Sequence, residues 1–154
     1  MSKKVLITGG NKGIGLAVSR AMLEFGYEII IVARDFDSCP LVGVEKVTCI
    51  EYDLSNVDGL KDLAAEVGNI DILINNAGYM QPKYSYDNYP KEARDHIMNV
   101  DLYTPVELMN IFSAHMKKQK YGRIVNTASI AGQIGHPDVW YGMAKAVLIN
   151  ATKI

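Results

Sequence analysis

The sequence predicts an α/β domain, a parallel sheet covered by helices on both faces, and two observations predict it. Apolar runs of strand length alternate with stretches of helical period along the 154 residues, the signature of successive βαβ units. The first of these runs opens straight into a glycine-rich segment, Thr8-Gly9-Gly10-Asn11-Lys12-Gly13-Ile14-Gly15, and a helical pattern follows at once. The length is that of one domain with its own core.

Residues 5–8 read as the first strand. Over 13–25 the apolar positions Ile14, Leu16, Ala17, Val18, Ala21, Met22 and Phe25 fit a helix lying on a sheet, with Gly26 as its stop. A second strand covers 27–33. Residues 34–46 carry Asp35, Asp37, Ser38, Pro40 and Gly43 without helical period, so a loop or single turn is expected there. Strands at 47–52 and 70–75 flank a helix at 57–67. The tyrosine-bearing stretch 79–90 is expected as a loop over the carboxyl edge of the sheet. A helical stretch from about 90 to 120 contains Pro105, expected as a kink or break. The fifth strand is Arg123–Asn126. A last helix is expected to start near Asp138 and still be running at Ile154, because neither a capping residue nor a closing glycine is present.

Composition removes several classes of function. A formal net charge of −1, with no run of more than two basic residues, lacks the electrostatic footprint of a nucleic-acid binder. No apolar run is long enough to span a bilayer, and the start of the chain lacks the hydrophobic stretch of a signal peptide, so a cytoplasmic, non-membrane protein is expected. Cys39 and Cys49 form no C-x-x-C pattern, and His96 and His115 have no company of other ligands, so no metal site is expected. The methionines read as core or interface filler.

The glycine-rich segment sits between a strand and a helix, where backbone amides and the helix dipole can hold a diphosphate. Its glycines allow the close approach that a Cβ would obstruct. The spacing is T-G-x-x-x-G-x-G, and with it the chain resembles the short-chain dehydrogenase/reductase family. Further motifs follow in family order: Asn75-Asn76-Ala77-Gly78 after the fourth strand, Asp53-Leu54 after the third, Asn99 in the long helix, Ser129 after the fifth strand, and Tyr141 with Lys145 as Tyr-x-x-x-Lys. Alone, the last interval describes many exposed helix faces; together and in order, the matches are poorly explained by coincidence.

The resemblance implies a Rossmann fold with strand order 3-2-1-4-5 and a hydride transfer between a nicotinamide and a carbonyl or secondary alcohol. It assigns Tyr141 as acid/base, Lys145 as its modulator and a ribose ligand, Ser129 as the group orienting the carbonyl, and Asn99 as a water-assisted relay. The chemistry is consistent with the residue types: a phenol with an ordinary pKa of about 10 needs nearby positive charge to exchange protons near neutrality, and Lys145 lies one turn on along the same helix face. The cofactor set is Gly9, Asn11, Lys12, Gly13, Ile14, Gly15, Arg34, Asp53, Leu54, Asn76, Ala77 and Gly78, with Tyr141 and Lys145. Ala33 stands where NAD-dependent relatives carry an acidic ribose reader. Arg34 and Lys12 offer cations for a 2′-phosphate, so NADP(H) is expected, with NAD(H) the alternative should Asp35 turn inward. His136 and Trp140, between Ser129 and Tyr141, are candidate substrate contacts.

The family continues into a sixth strand, a segment over the nicotinamide, a substrate lid and a seventh strand, and this sequence carries none of them. A chain cut within its last helix is therefore expected, with the fifth strand left as an uncovered edge. A fragment of a longer reductase, a product completed by another chain, and a catalytically silent nucleotide-binding module are the three readings. Family habit implies a homo-oligomer through the two long helices.

Overall fold

The computed structural model describes residues 2–80 and 84–153, with the side chain of Tyr86 left aside. Five parallel strands form one sheet in the order β3-β2-β1-β4-β5: β1 (Lys4–Thr8), β2 (Glu28–Ala33), β3 (Val47–Glu51), β4 (Ile72–Asn75) and β5 (Arg123–Asn126). Successive residues of the central strands go to opposite faces, and both faces are apolar, as a sheet buried on two sides requires. Leu6, Ile30, Val32 and Leu73 face α2 (Leu60–Val67) and α4 (Thr104–Gln119), meeting Leu60, Leu63, Leu108 and Phe112. Val5, Ile7, Ile29, Ile31, Ile72 and Ile74 face the other way, toward Leu16, Val18, Met22 and Leu23 of α1 (Gly13–Glu24). Each large side chain sealed in this way contributes about 1.5–3 kcal/mol.

The crossover from β2 to β3 has no helix, as its composition predicts. Cys39 and Leu41 plug the sheet face there instead. Chain order 3-2-1-4-5 reverses direction between β1 and β4, so the loops after those strands diverge and leave a crevice at their carboxyl ends.

Two expectations about the later helices are corrected. The run expected at 90–120 is interrupted, but Pro105 is not itself the kink. The run consists of α3 (Lys91–Met98), a π-helical segment (Asn99–Tyr103) and α4. Thr104 N donates to the Asn99 carbonyl, five residues back. Pro105, in the first turn of α4, has no N–H to offer the turn before it, so the wider π turn comes just ahead of the proline. The last helix, α5 (Val139–Ala151), does not run on to the end: it closes at Ala151, and the Thr152 hydroxyl bonds back to the Leu148 carbonyl at 2.7 Å. Asp138 is its N-cap, accepting from the Tyr141 amide at 3.1 Å.

The stretch 79–90 carries a short 3-10 turn (Tyr86–Asn88); residues 81–83 of that expected loop lie outside the described residues. Among the described residues β5 pairs only with β4, and Val125 on it is 50% exposed. Among the described residues no helix is long and apolar enough to cross a membrane.

Candidate active site

A cleft of about 380 Å³ opens at the carboxyl ends of β1, β2 and β4. One wall is the glycine loop. Gly9, Asn11, Lys12, Ile14 and Gly15 line it, and Asn76, Ala77 and Gly78 of the loop after β4 close it from the side. Hydrogen bonds lock the two loops together: the Thr8 hydroxyl accepts from the amides of Asn76 at 3.0 Å and Ala77 at 3.1 Å, while Asn76 Nδ2 donates to the carbonyls of Thr8 and Gly9. Gly15 is required by this packing, because a Cβ there would lie 2.0 Å from the Gly9 carbonyl oxygen and 2.5 Å from Asn76 Nδ2. Asn11, buried, donates to the Asp35 carbonyl at 2.9 Å and ties the loop to the end of β2.

Helix α1 starts in this wall with no side-chain cap and no acid in its first turn. Its leading amides and positive dipole end therefore have no protein anion to serve, which fits a diphosphate. Arg34 and Asp35 both line the far end, as do Asp53 and Leu54. The Ser55 amide, donating to Asp53 Oδ1 at 2.9 Å, holds that carboxyl below the usual carboxylate range; burial opposes it, and the Ser55 hydroxyl, His96 and Arg34 assist.

The opposite wall is made by α5 and the π segment. Tyr141 and Lys145 line the cleft from α5, with the Lys145 ammonium 5.7 Å from the centre of the Tyr141 ring. Lys145 is 3% exposed; its Nζ donates to the Thr127 carbonyl at 3.0 Å and stands 3.0 Å from Oδ1 of Asp101, which is fully buried. Apart from this ion pair, Asp101 Oδ1 has no hydrogen-bond partner among the described residues. Asp101 Oδ2 accepts from the Tyr79 amide at 2.9 Å. Burial pushes the Asp101 carboxyl above its usual range, against the pull of the Lys145 ammonium and the Tyr79 amide. Gly78 lies against the pair: a Cβ on it would come within 3.0 Å of Asp101 Oδ1 and 3.6 Å of Lys145 Nζ.

Several expected site residues lie elsewhere. Asn99 Nδ2 donates to the Ser55 carbonyl at 2.9 Å, and Asp101, two positions on in the π turn, stands beside the Lys145 ammonium. An acid between Val100 and Leu102 was the signal in the sequence, since a carboxylate in an apolar run needs a buried partner. Ser129 Oγ accepts from the Ala131 amide at 3.2 Å and caps a 3-10 turn; Ala128 beside it lines the cleft, but Ser129 does not. Gly13 also falls outside the lining. Trp140 packs on the cluster of Ile97, Leu102 and Ala144, with the Arg94 guanidinium 5.4 Å from its ring. His136 Nδ1 accepts from the Asp138 amide at 3.1 Å, and its ring is 5.5 Å from that of Tyr141. Tyr79, Met80 and His96 line the cleft and were not singled out by sequence.

The family model described as short chain dehydrogenase matches residues 3–154. The chain belongs to the short-chain dehydrogenase family. It is 32% identical over 161 aligned positions to an acetoacetyl-CoA reductase of Paracoccus denitrificans, covering 99% of this chain and 66% of that protein. Among solved structures, a 4-hydroxyisoleucine dehydrogenase complexed with NADH superposes with a TM-score of 0.92 at 26% identity, over 99% of this chain and 65% of its own. A metagenomic short-chain oxidoreductase in complex with NADP gives 0.86 at 26% identity, over 98% and 74%. The chain thus spans about two-thirds of the length of the curated relatives it matches. Of the two structural relatives, one is complexed with NADH and the other with NADP.

Proposed function

We propose that this chain is an NADP(H)-dependent oxidoreductase interconverting a carbonyl compound and a secondary alcohol. The observation that carries the reading is that Tyr141 and Lys145 line the same cleft as Gly9, Asn11 and Gly15. The amides at the start of α1 would hold the diphosphate and Lys145 the nicotinamide ribose. When bound, the cofactor supplies or accepts the hydride. Tyr141 then gives its phenolic proton to the developing alkoxide in reduction and takes it back in oxidation. Ser129, next to the cleft-lining Ala128, orients the carbonyl oxygen once substrate is present.

Preference for the 2′-phosphorylated cofactor rests on exposed Arg34 and Lys12, both on the cleft, with Ala33 offering no acid to the ribose. Pairing of copies through α4 and α5 belongs to the same reading, since Val106, Met143 and Val147 on those helices are exposed apolar residues. The test is to follow nicotinamide absorbance with the 154-residue chain, NADPH or NADH, and a panel of carbonyl compounds. Oxidation faster with NADPH than with NADH, and losing that preference by about tenfold in Arg34→Ser, is expected. Tight nucleotide binding without turnover of any compound would make the chain a binding module.

A further inference from the structure

Two connecting segments meet near Tyr141, and both bring rings or apolar side chains to it. The stretch between β4 and α3 supplies Met80, which lines the cleft and is 48% exposed. Tyr84 and Tyr89 follow on the same stretch, with ring centres 5.3 Å apart. The Tyr89 hydroxyl donates to Asp138 Oδ2 at 3.1 Å, which fastens that pair beside the cap of α5. The connection from β5 to α5 begins at cleft-lining Thr127 and Ala128, carries Ile130 and Ile134 at 64% and 62% exposure, and brings the His136 ring to 5.5 Å from that of Tyr141. Large apolar side chains left in water around a cleft mark a surface that a ligand covers.

Among the described residues, the charged side chains at this end are engaged with one another. Lys91 and Arg94 both bind Asp95, and the Arg94 guanidinium also lies 5.4 Å from the Trp140 ring. Lys145 meets Asp101, and Asp138 accepts from the Tyr141 amide and the Tyr89 hydroxyl. The exposed cations of the cleft, Lys12 and Arg34, belong to the nucleotide end. An acidic group on the substrate would have to take a cation from its present partner. A flat ring meets what Met80 and the tyrosines already offer, a polarizable thioether and aromatic faces.

We propose that the substrate is a neutral ketone bearing an apolar ring, with the ring against Met80 and the Tyr84–Tyr89 pair and the carbonyl turned to the Tyr141 hydroxyl. In reduction the nicotinamide gives its hydride to the carbonyl carbon and Tyr141 its proton to the oxygen, leaving a secondary alcohol and the oxidised cofactor. This names the substrate class of the proposed reductase; it rests on that reading for turnover, but not for binding.

The test compares three ketones as ligands of the 154-residue chain, with and without NADP, by ligand-detected saturation-transfer NMR. Benzylacetone carries a neutral ring, levulinate a carboxylate, and acetoacetyl-CoA several phosphates. Benzylacetone should bind at least about tenfold more tightly than either of the others. Met80→Glu, at a half-exposed position on which folding does not depend, should weaken benzylacetone by about tenfold. Affinity for levulinate or acetoacetyl-CoA equal to or above that for benzylacetone overturns the proposal. Undetectable binding of benzylacetone, or a Met80→Glu variant that binds it as the parent does, overturns it as well. Nicotinamide absorbance is followed in parallel. Benzylacetone bound but never reduced sinks the hydride chemistry and leaves the ligand class standing, whereas reduction of the two charged ketones in preference to it does the opposite.

Discussion

The glycine-loop wall of the cleft is held by neutral hydrogen bonds between side chain and backbone, whereas the α5 wall is held by buried charge. In the first, the Thr8 hydroxyl accepts from the amides of Asn76 and Ala77 and Asn76 Nδ2 donates to the carbonyls of Thr8 and Gly9, at 3.0–3.3 Å, and Gly15 follows from space: a side chain there has nowhere to go. In the second, Lys145 stays where it is because Asp101 and the Thr127 carbonyl are there. A wall closed around Gly15 is intolerant of bulk; a wall built on a buried ion pair is intolerant of losing one partner.

Mutations that strike each wall should separate these behaviours. The largest effect is expected at Tyr141: Tyr141→Phe should lower the rate of hydride transfer by about 10²–10⁴-fold while nucleotide affinity, read by fluorescence titration, barely changes. A Phe variant within threefold of the parent rate would break the proton-transfer assignment. Next is Asp101→Ala, which strands a buried ammonium and should cost about 3–5 kcal/mol in chemical denaturation. Asn99→Ala, by contrast, removes only a bond to the Ser55 carbonyl and should cost about 1 kcal/mol; equal losses at the two positions would contradict the placement of the ion pair. Gly15→Ala should cost about 1–3 kcal/mol by forcing the two loops apart, and should weaken nucleotide binding without altering the pH dependence of any residual turnover.

Much of this contrast was legible in the sequence, and unevenly so. Close approach of loops leaves marks at fixed spacing, so the glycine loop and Asn76 to Gly78 marked out most of the first wall, Gly13 excepted. The helix carrying Tyr141 and Lys145 was legible too, since Asp138 is a cap and the four-residue interval keeps both side chains on one face. The part played by Asp101 was less legible, because an acid in an apolar run announces a buried partner without naming it, and only the tertiary contacts bring Lys145 to it. Ser129 and Trp140 illustrate a different limit: a serine after a strand serves equally as cap or ligand, and an indole beside an active helix serves equally as core, and only tertiary contacts separate the two.

The smallest effect concerns pH and belongs to the second wall alone. Because burial raises the Asp101 carboxyl above its unfolded value, the folded state holds that proton more tightly than the unfolded chain. Its contribution to stability is therefore fully present below the ordinary carboxylate range and is lost as pH rises through the raised value. The stability of the parent relative to Asp101→Asn should accordingly decline as pH climbs through that window, measured by urea unfolding at a series of pH values. A relative stability that grows over the same interval would mean that the ammonium outweighs burial.

Whether both walls serve one ligand is answered most directly by a crystal structure of the chain soaked with NADPH. The diphosphate should rest on the amides of Gly13 to Gly15 at the start of α1, the 2′-phosphate beside Arg34, and the nicotinamide within reach of the Tyr141 hydroxyl and the Lys145 ammonium. A nucleotide seated on the glycine loop with its nicotinamide turned away from Tyr141 would contradict the account.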